Sequence, residues 1–267
     1  MSLKKYFNLL NKTLYTSKWN FNRQIQKYFS NHPMNRNKTE SCKILKKLFN
    51  DGIVVLPKYW DSKMIKKIKT LAIPIAKKLK NNSNSFSERT VCYPKDGIYR
   101  LTSIEKKIPI TQKIVSDPFL ESLVEEYLGK KIKDSTNYLD FKSDIGVHDY
   151  TTVPHMDSWM SQIKIFTLLN DVNNFNAPMV YWKGSHKDHN WRRNIDYFKF
   201  IGDDFGSSGC FPPALVREQE NDKNNPLTEF SVLAPAGTVI IADVRGVHRA
   251  SNLFKGYRLQ IVQKFIS

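Results

Sequence analysis

The sequence predicts a mainly β protein with flanking helices, and three observations carry that prediction. Beyond residue 135, short strand-like segments follow one another at 138–142, 163–169, 179–182, 237–244 and 258–265, separated by Asn, Gly, Pro and Asp. No second set of long helical patterns interrupts them, so this half reads as an all-β sandwich or roll. Between residues 41 and 135, apolar residues instead recur at helical spacing. Finally, 267 residues that are 40% hydrophobic and 12% aromatic can bury a sizeable core without disulfides or structural zinc, which excludes general disorder.

Taken in order, residues 1–40 are a basic N-terminal arm rich in Asn and Lys. Leu3, Phe7, Leu10 and Leu14 share one helical face, and Ile25, Tyr28 and Phe29 continue a second. Three readings stay open for the arm: packing on the domain, a helix on a membrane surface, or organelle targeting. Only Arg23 and Arg36 among its eight basic residues are arginines, which weakens the targeting case. Gly52-Ile-Val-Val-Leu56 before Pro57 is a short buried strand. Asp61-Ser62 caps a helix with an apolar face of Met64, Ile65, Ile68, Leu71, Ile75 and Leu79; lysines fill the other side, and Pro74 is expected to kink or interrupt it. Ser116-Asp-Pro118 opens a further helix that Gly129 closes. The chain thus divides into an arm (1–40) and one domain (41–267), with helical support over 41–135 and a roll over 136–267. An insertion at 187–230, containing Trp191, Arg192, Arg193 and Pro213, is expected to act as a lid.

The net charge of +17 points first to nucleic acid, but it is unevenly spread. Residues 1–80 hold 19 basic residues against Glu40, Asp51 and Asp61, whereas the rest of the chain carries 23 basic against 22 acidic residues. Lysine outnumbers arginine 32 to 10, and the basic segment shows no nucleic-acid motif. Sequence-specific nucleic-acid binding is therefore not expected, while a weak contact of the basic segment with an anionic surface is. Cys42, Cys92 and Cys210 lie far apart without a CxxC pair, which argues against a zinc ribbon or a disulfide framework and fits a reducing, cytoplasmic setting. No apolar run approaches the roughly 18 residues of a membrane span, and the first residues lack a secretory signal.

Six histidines occur: His32, His148, His155, His186, His189 and His248. His155-Met-Asp157 sets an imidazole and a carboxylate two residues apart, on one face if the segment is extended. His248 follows the apolar run Gly237–Asp243 and is the natural third ligand. Two His and one carboxylate form the facial triad that leaves positions open on non-haem Fe(II). His186-Lys-Asp188 repeats the pattern but lies in a turn with no strand continuing from it. His148 and His189 have no arranged partners and read as surface residues. Arg258 opens the terminal strand. Alternation puts Arg258, Gln260 and Val262 on one face and Leu259, Ile261 and Gln263 on the other. An arginine on the inner face of a roll needs an anion, and its planar guanidinium suits a carboxylate.

These residues, in this order, resemble the phytanoyl-CoA dioxygenase family of Fe(II)/2-oxoglutarate-dependent oxygenases. The resemblance rests on the strand at 52–56, His155-Met-Asp157, Leu169-Asn-Asp171, Ala177–Lys187 with its Gly184-Ser-His-Lys turn, Pro235–Asp243, Arg245-Gly-Val-His248 and Arg258. It spans about residues 45–267. It implies a double-stranded β-helix (a cupin-like jelly roll) backed on one sheet by helices. It makes His155, Asp157 and His248 the iron ligands and Arg258 the partner of the distal carboxylate of 2-oxoglutarate. O₂ is the implied co-substrate, and a small organic molecule would be hydroxylated with release of succinate and CO₂. Related halogenases carry a small residue at the position of Asp157, so the carboxylate favours hydroxylation. Lys183 stands where the family often has proline, which should alter the turn. Arg249 replaces a frequent small residue and either meets an anionic substrate or is a solvated rim charge. The alternative reading is a basic binding protein for nucleic acid or anionic membrane, built on a catalytically silent jelly roll.

Overall fold

A computed structural model of the chain describes residues 40–81, 90–93, 97–132, 135–147, 150–157, 162–187, 209–210, 213–222 and 227–266. Twelve strands among these form two antiparallel sheets. The larger sheet has the order β1 (Ile53–Leu56), β10 (Val239–Asp243), β6 (Gln162–Leu168), β12 (Arg258–Ile266), β4 (Ser135–Lys142), β3 (Ile98–Thr102) and β2 (Thr90–Tyr93). The smaller has the order β8 (Gly209–Cys210), β5 (His155–Met156), β11 (His248–Ala250), β7 (Met179–Lys183) and β9 (Thr228–Ser231).

Strand alternation divides the side chains of the large sheet between two environments. On β6, Ile163 and Ile165 face the helices while Lys164, Phe166 and Leu168 face the interior of the roll. On β12, Leu259 and Ile261 face the helical layer, whereas Arg258, Gln260 and Val262 face the interior, as the alternation predicts. Helices α1 (Glu40–Asp51) and α4 (Pro118–Leu128) pack on Ile163, Ile165, Val239, Ile241 and Phe265. Helix α2 (Ser62–Asn81) packs on Leu101, Leu139, Phe141, Leu259 and Ile261. The single turn α3 (Gln112–Val115) contributes Ile114 and Val115 to that cluster. Between the sheets, Ile53, Leu168, Ile240 and Ala242 meet Met179, Tyr181 and Val232.

The helix ends follow their sequence signals. Asp61 Oδ1 accepts from the amides of Lys63 and Met64 at 3.0 Å each, and Asp117 Oδ1 accepts from Leu120 at 2.8 Å. Gly129 closes α4 in the left-handed region at φ 69°. Three expectations need correction. Helix α2 runs through Pro74 without interruption, because the proline lies on the solvent side, away from the buried stripe. That stripe is Ile65, Ile68, Ala72, Ala76 and Leu79; Leu71 is 46% exposed, since the continuous helical period selects the alanines. The segment expected to be helical support also holds β2 and β3, which extend the large sheet. The end of the expected lid supplies β8, helix α5 (Pro213–Glu220) and β9. Its residues 188–208, and the arm over 1–39, lie outside the described residues.

Candidate metal centre

Strands β5 and β11 are neighbours, with His155 and His248 as direct cross-strand partners. Partners in an antiparallel pair project to the same face, and the two imidazole centroids stand 4.4 Å apart. Asp157, just beyond β5, turns towards the same point. Its Oδ1 lies 3.9 Å from His155 Nε2 and its Oδ2 3.5 Å from His248 Nε2. One ligand atom from each of the three residues lies within 4.8 Å of the others.

The outer nitrogens of both rings are tied to backbone. His155 Nδ1 is 2.8 Å from the Val153 carbonyl, and His248 Nδ1 is 2.9 Å from that of Gly246. A carbonyl oxygen only accepts, so each ring donates through Nδ1–H and turns Nε2 to the cluster. Burial pushes His155 down to about 4, with His248 beside it adding to the effect. Burial alone would raise Asp157, but Lys164 and the two histidines outweigh it and hold the carboxyl well below its usual range. A neutral His155 and an ionised Asp157 fit a divalent metal, and a donor set confined to one side fits one with open positions, such as non-haem iron.

The turn carrying His248 is fixed from below. Asp243, fully buried, accepts from Tyr127 Oη at 2.8 Å and from the Arg245 amide at 3.0 Å. Arg245 Nη2 pairs with the same carboxylate at 3.2 Å. Tyr181 donates to the Asp243 carbonyl at 2.8 Å, and its hydroxyl oxygen stands 1.8 Å from where a Cβ on Gly246 would be, so only glycine fits. Ser185, in the Gly184-Ser-His186 turn, accepts from the Val247 amide at 2.7 Å and donates to the Trp182 carbonyl at 2.5 Å. The turn singled out by the sequence is therefore a clamp on the segment that presents His248.

No protein-family model matches the chain, and no curated protein matches it by sequence. Solved structures match by shape. The chain is similar to EctD from S. alaskensis with bound Fe, at TM-score 0.64 and 14% identity over 88% of this chain and 80% of that one. It is also similar to the epimerase SnoN in complex with Fe3+, alpha ketoglutarate and nogalamycin RO, at TM-score 0.60 and 16% identity over 85% and 83%. The alpha ketoglutarate dependent carbocyclase SnoK matches at TM-score 0.57 and 15% identity over 86% and 85%. The core is a cupin-like jelly roll.

Within the jelly roll, the three-residue cluster opens into a cleft between the two sheets. Arg258 lines this cleft and is 11% exposed. Its Nη1 donates to the Ala177 carbonyl at 2.6 Å, and its Nη2 lies 3.6 Å from Asp140 Oδ2. The sequence reading missed four more charged groups that line the cleft: Arg100, Asp140, Lys142 and Lys164. Register explains two of them. Asp140 on β4 is flanked by Arg100 on β3 and Gln260 on β12, and it accepts from Arg100 Nε at 2.7 Å and Gln260 Nε2 at 2.9 Å. Burial works against this carboxylate, yet Arg100 and Arg258 keep its pKa below normal. Lys164 Nζ lies 2.7 Å from Asp157 Oδ2. The signal for it was legible, since Ile163 and Ile165 face the helices and force Lys164 inward.

His186, in the turn the sequence indicated, is buried. Its Nε2 lies 3.1 Å from the Phe49 carbonyl, and its ring packs against Gly52, leaving no room there for a side chain. Arg249 is among the residues lining the cleft; its guanidinium lies 5.9 Å from the Trp182 ring and 3.9 Å from Glu229. His32, His148, His189, Arg192 and Arg193 lie outside the described residues.

Proposed function

We propose that this chain is an Fe(II)- and 2-oxoglutarate-dependent oxygenase of the phytanoyl-CoA dioxygenase type, hydroxylating a small organic substrate with O₂ as co-substrate. One observation carries the reading: His155, Asp157 and His248 turn their donor atoms to one point at the floor of a cleft that Arg258 also lines. In this reading those three residues hold the iron. When bound, the metal supplies oxygen activation coupled to decarboxylation of 2-oxoglutarate to succinate.

The chain's own residues do the rest. Arg258 receives the distal carboxylate of 2-oxoglutarate through charge-assisted hydrogen bonds, the Ala177 carbonyl fixing the plane of its guanidinium. Arg100, Lys142, Lys164 and Arg258 outnumber Asp140 and Asp157 along the wall, which favours a dianionic co-substrate. Phe166, Leu168, Val172, Met179 and Val232 supply an apolar wall that excludes water and leaves room for an organic substrate. Lys164 holds one oxygen of Asp157, favouring a single-oxygen ligand.

Among the solved structures of like shape, EctD also occurs with 2-oxoglutarate and 5-hydroxyectoine, while SnoN and SnoK are named an epimerase and a carbocyclase. 2-Oxoglutarate (alpha ketoglutarate) recurs among them and the outcome differs, so hydroxylation is the finer part of the proposal. An anaerobic titration of Fe(II)-loaded protein with 2-oxoglutarate tests the common part. A metal-to-ligand charge-transfer band is expected, and its absence, or an undiminished band in His155→Ala, would sink the assignment. Succinate release across a metabolite panel, with product gaining one oxygen atom, tests hydroxylation.

A further inference from the structure

Three loops at one edge of the molecule are stitched together by backbone hydrogen bonds. The Gly146 amide donates to the Leu253 carbonyl at 3.1 Å, and the amides of Phe254 and Lys255 donate to the Phe175 carbonyl at 2.7 and 3.0 Å. Each loop presents one large apolar side chain to solvent: Ile145 is 61% exposed, Phe175 59% and Phe254 60%. Isolated exposed apolar residues need no explanation, but three on loops bonded to one another form a patch.

The patch adjoins helix α2, whose lysines are Lys63, Lys66, Lys67, Lys69, Lys77, Lys78 and Lys80 and which contains no acidic residue. Lys66, Lys69, Lys77 and Lys80 fall on one stripe of the helix. Two contacts bring that stripe against the same loops. Lys80 pairs with Asp144, next to Ile145, and Lys69 lies 5.8 Å from the ring of Tyr257, three residues beyond Phe254. The nearby carboxylates are engaged: Asp144 also accepts from Tyr99 Oη at 2.7 Å, and Asp171 accepts from the Ala236 amide at 2.8 Å.

We propose that this edge docks on an anionic lipid bilayer, with Ile145, Phe175 and Phe254 entering the headgroup region and the lysine stripe of α2 resting on the lipid charges. Apolar tips beside a helix whose charged side chains are all lysines match both properties of such a surface. Charge argues against the basic N-terminal arm as the occupant, since it carries eight basic residues and no acid over residues 1–39. The interaction is separate from the metal centre, as none of the three tips lines the cleft.

Co-sedimentation of the full chain with phosphatidylcholine vesicles, with and without phosphatidylserine, tests the proposal. Binding is expected only with phosphatidylserine and should weaken as salt rises. Phe175→Ser/Phe254→Ser should lower partitioning roughly tenfold or more, and Lys66→Gln/Lys77→Gln about tenfold. Ile145→Ser, on the third loop, provides a second apolar test should the double variant fold poorly; far-UV circular dichroism checks each variant. Absence of vesicle binding would overturn the proposal, as would retention on RNA alone. Folded variants that all bind like the parent chain would also overturn it, assigning the binding to the arm.

Discussion

Lys164 sets its ammonium nitrogen 2.7 Å from Oδ2 of Asp157, with the two side chains only 14% and 17% exposed. Burial alone would depress the lysine, but the Asp157 carboxylate reverses this and raises its pKa. The pair keeps an ionised carboxylate inside the roll before any metal arrives. Lys164→Met should therefore destabilise the metal-free protein by about 2 kcal/mol, below the range for fully buried pairs because the cleft admits some water. Urea unfolding at neutral pH measures this. Lys164→Met/Asp157→Asn should recover most of the loss, since no buried charge is left alone. Equal stability of Lys164→Met and the parent would show that the pair does not support the fold.

His186 gives the protein an acid-sensitive core. Burial pushes its pKa down to about 4 from 6.5, despite the nearby Asp243. Between these values the unfolded chain binds a proton that the folded chain does not. Stability is therefore full above the unfolded value and falls as pH drops towards 4, by about 3 kcal/mol for this one residue. His155 contributes in the same direction in metal-free protein. Urea midpoints measured across this window should fall with acid, and His186→Asn, although less stable at neutral pH, should show a shallower slope. Parallel slopes would mean that His186 titrates normally.

The sequence made the strands of the roll legible because alternation is a local property. Ile163 and Ile165, or Leu259 and Ile261, reveal their face without knowledge of any partner. The terminal helix signals at Asp61, Asp117 and Gly129 were equally local. What stayed hidden depends on register. Asp140 gives no sign in its own segment that Arg100 and Gln260 will flank it, because both arrive from distant strands. The buried stripe of α2 was misjudged for a different reason: bulky Leu71 and Ile75 were counted on it, whereas the helical period turns the small Ala72 and Ala76 inward. His186 lies in a turn, as its segment indicated, but its burial was hidden because it comes from Phe49 and Gly52, far away in the chain.

Gly246 offers a steric test of the clamp around His248. The Tyr181 hydroxyl oxygen would stand 1.8 Å and its Cζ 2.3 Å from an added Cβ, and a fully buried tyrosine has little space to retreat. Gly246→Ala should cost about 1–3 kcal/mol through overpacking. Because the Gly246 carbonyl also accepts from His248 Nδ1, Fe(II) affinity should fall roughly tenfold to a hundredfold. Thermal melting and metal titration measure the two effects separately. Unchanged affinity in a destabilised variant would separate the clamp from the metal centre.

Arg258 allows metal binding and co-substrate binding to be separated. It lines the cleft with His155, Asp157 and His248 yet contributes no atom to their cluster. Losing a charge-assisted hydrogen-bond pair costs on the order of 1.5–3 kcal/mol, or about tenfold to a hundredfold in affinity. Arg258→Gln should therefore weaken 2-oxoglutarate binding by that factor while leaving Fe(II) affinity nearly unchanged. Arg258→Lys should fall between the two, because an ammonium keeps the charge but not the planar two-donor geometry. Asp140 keeps Arg100 and Gln260 as partners in either variant, so the wall should not collapse. Calorimetric titration of metal and then of 2-oxoglutarate measures both affinities on one sample. If Arg258→Gln binds 2-oxoglutarate as tightly as the parent, the distal carboxylate lies elsewhere, with Arg100 or Lys142 the next residues to substitute.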